Sequence, residues 1–364
     1  MYSDDLVRPW WDALQVEDPL FDVHTHLGTN DPSGFSATAA QLREALAGVD
    51  ARAAVFPLTE PDGYRDANDA VLAEARSDEV LVAFCRVTPD DAGEARRCVE
   101  AGAAGIKLHP ASDEFALGDD RLEEVFGLAH ELRLPVLLHA GPEIDPYGAT
   151  LPDVLDRFPG ARFVLAHAGL TDLAWLAGNP KPNLFFDTSW WSATDVVTVL
   201  GTIPPGQVLL GSDVPYSTPT WGAHATARCA QYAGLAPDQV ASVMGGQARR
   251  LVDRADPADL GPAPGRVPPL DPLLERLFVY LCAGVEATKR GESPGQTLDL
   301  ARHCCHVPPG HPHKAVFESV WELLDRYEKH APQMETGNEY AAGWDLIATA
   351  AVVARTPGTP LPLT

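Results

Sequence analysis

Short apolar runs typical of buried β-strands alternate with helical stretches along residues 20–252. Runs without polar alternation, each separated from the next by a helix, favour a parallel sheet covered by helices on both faces. Eight such units in about 250 residues match the size of a (β/α)8 TIM barrel. We therefore predict this α/β fold, with strands at residues 20–26, 52–58, 80–87, 104–109, 135–139, 162–167, 183–188 and 207–213.

Polar side chains stand at the ends of these predicted strands. His24 and His26 close the first strand, and side chains alternate along a strand, so the two imidazoles share one face. Later strands end in Arg86, Lys107, His109, His139, His167, Asp187 and Asp213. In a barrel these ends converge on the active site, whereas a doubly wound open sheet, the alternative fold, gives no reason for so many polar strand ends. Imidazoles with a carboxylate suit Zn²⁺, with Mn²⁺, Fe²⁺ or Co²⁺ as alternatives.

Composition limits the classes of partner. The 364 residues carry a formal net charge of −24, and a field of this sign repels phosphate backbones and anionic membranes, so we expect neither nucleic-acid nor membrane binding. The six cysteines form no disulfide framework. No secretory signal and no bilayer-length apolar run is found. We expect a soluble, cytoplasmic protein that acts on a small molecule.

Five segments at the strand ends together resemble the amidohydrolase superfamily. The closer resemblance is to its amidohydrolase-related branch, which includes aminocarboxymuconate-semialdehyde decarboxylase and its hydrolase and lactonase relatives, and it covers roughly residues 18–252. The segments are Asp22-Val23-His24-Thr25-His26, Gly105-Ile106-Lys107-Leu108-His109-Pro110, Leu138-His139-Ala140-Gly141, Ala166-His167-Ala168-Gly169 and Gly211-Ser212-Asp213-Val214-Pro215. One departure is Gln247, which stands where the family has asparagine.

The resemblance implies a catalytic metal site. One divalent ion, first of all Zn²⁺, would be held by His24, His26, His139 and Asp213. Asp213 would also take a proton from the attacking water, and His167 would act as an acid or base facing water or substrate. Some relatives in this branch keep the histidines and work without a metal.

Lys107 has three interpretations. In binuclear members of the superfamily a strand-four lysine is carboxylated and bridges two metals, and His167 would then bind the second ion. The Lys-Leu-His-Pro form here resembles the mononuclear branch instead. A buried ion pair of Lys107 with Asp187 or Asp213 is the third interpretation.

Further residues are candidates for binding substrate. Arg86 is expected to grip a substrate carboxylate through two hydrogen bonds, with a purely structural charge as the alternative. His109 lies two residues after Lys107 and so is expected on the same face of the fourth strand, or it packs beside Pro110. Trp190, Trp191 and Tyr216 follow the last two strands and are predicted to wall a pocket for a ring-shaped substrate. His224 is expected to cap a helix or face solvent.

The chain beyond residue 254 has a different sequence pattern from the predicted barrel. Residues 255–272 are predicted to be a proline-rich linker, and residues 273–364 a helical appendage that the resemblance does not cover. Its apolar stripes must pack on each other, on the barrel or on a second subunit, which makes a homo-oligomer one option. His303-Cys304-Cys305-His306, followed by His311 and His313, fits no zinc-ligand spacing, and we interpret it as a loop with buried cysteines.

These observations support one main hypothesis and two alternatives. The main one is a metal-dependent hydrolase of a small, carboxylate-bearing or cyclic amide, ester or lactone. The second is a metal-dependent non-oxidative decarboxylase, a lyase, that acts on an unsaturated or aromatic carboxylate. The third is a barrel kept only as a binding module.

Overall fold

Eight parallel strands form the centre of the molecule. The computed structural model describes residues 3–141, 144–170, 172–267, 269–335 and 337–362. Each strand pairs with the next one along the chain, which confirms the predicted (β/α)8 barrel. The strands are β1 Leu20–Leu27, β2 Ala51–Pro57, β3 Leu81–Arg86, β4 Gly105–Leu108, β5 Pro135–Leu138, β6 Arg162–Leu165, β7 Leu184–Asp187 and β8 Val208–Leu209.

The last strand is shorter than predicted, but the chain after it joins the first strand. Regular pairing of β8 ends at Leu209. From there the backbone N–H of Val23 donates to the carbonyl of Leu210 (2.9 Å), and that of Asp213 donates to the carbonyl of His24 (2.8 Å). These bonds place the residue that ends the eighth strand beside the histidines that end the first.

Helices surround the strands. Phe21, Phe56 and Phe185 belong to the apolar cluster that fills the barrel interior, and a second, larger cluster lies between strands and helices. The barrel helices are α1 Asp4–Asp12, α2 Ala39–Ala47, α3 Arg65–Ser77, α4 Ala92–Glu100, α5 Glu123–Leu132, α6 Leu151–Arg157, α7 Leu173–Gly178, α8 Ala193–Thr202, α9 Pro219–Ala233, α10 Pro237–Ala241 and α11 Gln247–Val252.

Helix α9 begins seven residues before residue 226, where the sequence pattern predicts its start. Thr218 caps it by accepting a hydrogen bond from the backbone N–H of Trp221, and Pro219 occupies the first turn, where a missing N–H costs nothing. The longer helix carries His224 into the interior, where it is fully buried. The expectation that His224 caps a helix or faces solvent is therefore wrong.

The glutamine that departs from the family pattern is well bonded. Gln247 Nε2 donates to the carbonyl of Gly206, and its Oε1 accepts from the backbone N–H of Ala258 (3.0 Å). The side chain thus joins the start of α11 to the loop before β8 and to the chain that leaves the barrel.

Four further helices form the C-terminal helical segment: α12 Pro272–Lys289, α13 Gly295–Cys304, α14 Lys314–His330 and α15 Trp344–Arg355. Every residue of α15 is buried, as expected for a helix covered on all sides. It packs on α12 and α14 within the segment and on α8 and α9 of the barrel. The apolar stripes therefore pack on each other and on the barrel, although Leu273 and Val279 of α12, Leu300 of α13 and Trp321 of α14 remain exposed.

The predicted Cys/His loop is partly helical. His303 and Cys304 lie in the last turn of α13, and both Cys304 and Cys305 are half-buried rather than buried. Among the described residues, this region contains no group of three side chains placed to hold a metal ion. Separately, none of the helices in the described ranges is long and apolar enough to span a bilayer.

Candidate metal and active site

A cavity of about 510 Å³ opens where the strands end, and we call it the barrel-mouth cavity. Its volume is within the range of small-molecule sites. All the residues proposed from the sequence for metal binding, catalysis or substrate binding line it: His24, His26, Arg86, Lys107, His109, His139, His167, Trp190, Trp191, Asp213 and Tyr216. The strand-end pattern therefore located the cavity, while the role of each residue stays a prediction.

Three of these side chains converge on one point. The Nε2 atoms of His24 and His26 each lie 3.1 Å from Oδ1 of Asp213. One ligand atom from each of the three residues lies within 4.8 Å of the others. Burial lowers the pKa of His26 to about 3, so this imidazole is neutral and keeps a lone pair. Two imidazole nitrogens and a carboxylate oxygen in this arrangement fit a divalent metal.

Asp187 and Ser189 hold His24 from behind. The Nδ1–H of His24 donates to Oδ2 of Asp187 (2.9 Å), and Ser189 Oγ lies 3.1 Å from the same nitrogen. Ser189 in turn donates to Oδ1 of Asp187 (2.5 Å). A carboxylate on the remote nitrogen fixes the tautomer that leaves Nε2 free to bind a metal. Ser189 was missed in the sequence, although it follows the strand-ending Asp187 by two residues.

His167 and His139 form a second group beside the first. Because a carbonyl oxygen only accepts, His167 Nδ1 carries the proton that it donates to the carbonyl of Ser189 (2.7 Å). His167 Nε2 then accepts from His139 Nδ1 (3.2 Å), which leaves the lone pair of His139 on Nε2. His139 also stacks on His109 at 3.8 Å between ring centroids. It lies outside the three-residue group, so its part as a ligand stays a prediction.

Backbone strain marks two of the candidate residues. His167 has φ = 54° and Asp213 has φ = 67°, left-handed values that non-glycine residues adopt at a cost of about 1–3 kcal/mol. Such conformations persist where surrounding structure holds them and occur often at functional sites.

Lys107 is buried without a carboxylate partner. Its Nζ lies 3.5 Å from His24 Nε2 and 5.0 Å from the ring centre of Phe56. Desolvation lowers the pKa of Lys107 to about 7. None of the ion pairs among the described residues includes Lys107, so the predicted pair with Asp187 or Asp213 does not form.

Arg86, by contrast, is fully paired. Its guanidinium donates to both oxygens of Asp113 at 3.1–3.2 Å, and its Cζ lies 4.7 Å from the ring centre of Tyr64. Tyr64 also donates to Asp113 (2.5 Å). Arg86 lines the cavity, but a substrate carboxylate would have to compete with Asp113 for it. Asp113 lies in an irregular loop after β4, with no local pattern to identify it.

The predicted aromatic residues wall the cavity. Trp190 donates from Nε1 to Asp195 (2.9 Å), and Tyr216 donates to Asp31 (2.6 Å). Three cavity-lining residues come from the C-terminal helical segment and were not foreseen: Lys289, Tyr340 and Trp344. Only long-range packing places them here, so the nearby sequence carries no signal for their position.

Comparison with known proteins agrees with this architecture. The amidohydrolase family model matches residues 21–254. Among solved structures, a Staphylococcus aureus protein assigned to the amidohydrolases has a TM-score of 0.52 and 14% identity, with 65% of this chain and 100% of that chain covered. A protein described as amidohydrolase II has a TM-score of 0.51 and 19% identity, with 64% and 99% covered.

A third similar structure is an uncharacterised TIM-barrel protein from Bordetella bronchiseptica, with a TM-score of 0.50, 16% identity, and 69% of this chain and 90% of that chain covered. At such identities these likenesses show the fold alone. A search of curated proteins finds no match. The family match spans all eight strands and every candidate ligand, and we conclude that the chain belongs to the amidohydrolase family.

Proposed function

We propose that the protein is a metal-dependent hydrolase that cleaves an amide, ester or lactone in a small, carboxylate-bearing or cyclic substrate. The observation that carries the proposal is the convergence of His24, His26 and Asp213 within 4.8 Å at the barrel mouth. A divalent metal held there, Zn²⁺ in our proposal, would supply Lewis acidity and lower the pKa of a water molecule. His139, in the same cavity, is proposed as a further ligand.

The protein's own residues would handle the protons. Although burial raises it, the neighbouring His24 and His26 imidazoles hold the pKa of Asp213 well below its usual range. Asp213 is therefore ionised at neutral pH and can accept a proton from an attacking water. His167 presents its Nε2 lone pair toward His139, so it can receive a proton and deliver it to a leaving group.

Lys107 distinguishes the mononuclear site from the binuclear alternative. With its pKa at about 7, part of Lys107 is a neutral amine at physiological pH. Only a neutral amine reacts with CO2 to form the carbamate that bridges two metals. This chemistry leaves the binuclear site open, but we propose one ion because the Lys107-Leu108-His109-Pro110 form resembles the mononuclear branch, and the metal-to-protein ratio tests that choice.

Elemental analysis with an activity assay tests the proposal. Purified protein is expected to contain about one equivalent of metal, which a His24→Ala/His26→Ala variant loses. The matched control is His303→Ala/His306→Ala, which removes two histidines from the C-terminal helical segment and should keep the metal. Two equivalents in the wild type would favour the carboxylated Lys107. Unchanged metal content in the His24→Ala/His26→Ala variant would contradict the site.

Hydrolysis of a panel of lactones and esters is assayed by acid release, and hydrolysis of amides by detection of the released amine. Asp213→Asn is expected to reduce turnover about 10²–10⁴-fold, the usual contribution of a positioned acid or base. Folding of each variant is checked by circular dichroism. Turnover that survives this substitution would contradict the role of Asp213.

The decarboxylase remains the second candidate, because the basic side chain of Lys107 lines the same cavity and could orient a carboxylate, while Arg86 could take part only by leaving Asp113. In that reaction the bond between the carboxylate carbon and its neighbour breaks, CO2 leaves, and a proton replaces it. Release of CO2 from an aromatic or unsaturated acid, without hydrolysis of any ester or amide, would favour the lyase. Ligand binding without turnover in either panel would favour the binding module.

A further inference from the structure

The C-terminal helical segment forms one side of the barrel-mouth cavity. A chain of ring contacts connects it with a candidate metal ligand: His26 to Tyr216 at 5.8 Å, Tyr216 to Phe35 at 4.4 Å, and Phe35 to Tyr340 at 4.8 Å between centroids. Trp344, four residues after Tyr340, contacts Trp221 of α9 at 5.4 Å between ring centroids. The segment is thus built into the wall and does not merely lie near it.

Backbone contacts hold this wall in place. The N–H of Glu339 donates to the carbonyl of Ser33 in the loop after β1 (3.3 Å). Gly34, at φ = 81°, lies against the backbone of Gly337. A Cβ at position 34 would be 2.9 Å from the carbonyl oxygen of Gly337. On the other side, the N–H of Ala341 donates to the carbonyl of Thr288 (2.8 Å), next to Lys289.

Lys289, the last residue of α12, points a cation into this wall. Its Nζ lies 4.6 Å from the ring centre of Tyr340 and 5.1 Å from that of Trp344, distances typical of cation–π contacts. Among the described residues, no hydrogen bond or ion pair engages the ammonium. Glu286, one turn earlier, pairs instead with Arg290 (3.4 Å). Among the described residues, the Lys289 ammonium therefore contacts two aromatic rings and no hydrogen-bond acceptor.

The other basic groups of the cavity differ from Lys289. Arg86 is neutralised by Asp113, and Lys107 faces His24 at the strand ends. Burial lowers the pKa of Lys289 only to about 8, so most of it is charged at neutral pH. Asp213 acts on Lys289 electrostatically, which fits two groups facing one cavity.

We propose that Lys289 binds a carboxylate of the substrate that is remote from the bond to be broken. The candidate metal group acts from the strand ends, and Lys289 acts from the wall that the C-terminal helical segment contributes. The substrate class is therefore a molecule with a reactive carbonyl at one end and a carboxylate at the other, long enough to reach both. This inference rests on the proposed function for the reactive end only.

A titration that needs no turnover tests the proposal. Glutarate, adipate and isophthalate are compared by calorimetry with matched acids that carry a hydroxyl or hydroxymethyl group in place of one carboxylate. At least one diacid should bind the wild-type protein about tenfold or more tightly than its matched acid, as hydrogen bonds to charged groups are worth about 1.5–3 kcal/mol. None of these ligands contains a hydrolysable bond.

Lys289→Gln is expected to abolish this preference, whereas Lys289→Arg keeps a part of it. Lys314→Gln, on an exposed face of α14, serves as the control for loss of one lysine charge and should keep all of it. A wild-type protein without any preference, or a Lys289→Gln variant that retains it, would overturn the proposal. If the preference behaves as expected but the ester, amide and lactone panel is not cleaved, the carboxylate site stands and the proposed hydrolase is wrong.

Discussion

The barrel and the C-terminal helical segment line the same cavity in different ways. The barrel contributes the candidate metal ligands and candidate acid–base residues, which stand at strand ends, and the segment contributes Lys289 and two aromatic rings. In the barrel most charged groups are matched, as His24 is by Asp187 and Arg86 by Asp113. In the segment the Lys289 ammonium contacts two aromatic rings and, among the described residues, forms no ion pair, although Asp213, Glu286 and Glu339 act on it electrostatically. The candidate reactive groups are thus held by fixed partners, whereas the cation that we propose for recognition has no ion-pair partner among the described residues.

The most severe loss is expected where a matched charge of the barrel is broken. Asp113→Asn leaves the Arg86 guanidinium buried without a counterion, which should lower the free energy of unfolding by about 3–5 kcal/mol. Urea unfolding of the wild type and the variant measures this change in the free energy of unfolding. The control is Asp325→Asn, which breaks the exposed pair with Lys329 and should cost no more than about 1 kcal/mol. Equal losses in the two variants would mean that Arg86 does not depend on Asp113.

A second prediction asks whether the two regions unfold together. Ile347 of α15 and Leu137 of β5 are both completely buried, and replacing either with alanine should cost about 2–5 kcal/mol. Because α15 packs on α8 and α9 of the barrel, both variants should shift one shared thermal transition. If Ile347→Ala shifted an early, separate transition and left the main one unchanged, the C-terminal helical segment would be a domain that unfolds independently of the barrel.

The third prediction concerns the pH dependence of that packing. Asp345, at the start of α15, accepts from the backbone N–H of Ser3 (2.6 Å), and burial raises its pKa to about 6. Between about pH 4 and 6 the folded protein therefore binds more protons than the unfolded chain, so the free energy of unfolding falls as pH rises, by at most about 1.4 kcal/mol per pH unit.

Asp345→Asn should remove this part of the slope, which chemical unfolding at pH 4, 5 and 6 measures. The control is Asp299→Asn, on the exposed face of α13, which should leave the wild-type slope unchanged. An Asp345→Asn variant whose slope equals that of the wild type would contradict the raised pKa.

The contrast between the two regions also explains what the sequence could predict. Strand ends are local features: the period of two along a strand and the convergence of parallel strands are enough to bring His24, His26 and Asp213 together. Asp113 and Lys289 are placed by loop geometry and by helix packing, which no local pattern encodes. His224 was misjudged for the same reason, because it lies on α9, which packs against α1, α8 and α15, and local sequence does not encode that packing.

The smallest predicted effect is at Ser189, which helps to hold the candidate metal ligand His24 in place. Ser189→Ala removes hydrogen-bonding contacts to Asp187, His24 and His167, but Asp187 keeps its own bond to His24 Nδ1 (2.9 Å). His24 should therefore stay in the correct tautomer with a looser orientation, and metal affinity should fall about 10-fold, at the low end for outer partners of metal ligands.

Competition with a chelator measures that affinity, and kcat is expected to fall while KM changes little. Ser192→Ala is the matched control, since the hydroxyl of Ser192 makes no capping bond at the start of α8. A variant with wild-type metal affinity would show that Asp187 alone orients His24. Because Lys289 belongs to the C-terminal helical segment and contacts neither Ser189 nor His24 in the described contacts, Ser189→Ala should leave the diacid preference intact. A change there would mean that the two walls are coupled and not independent.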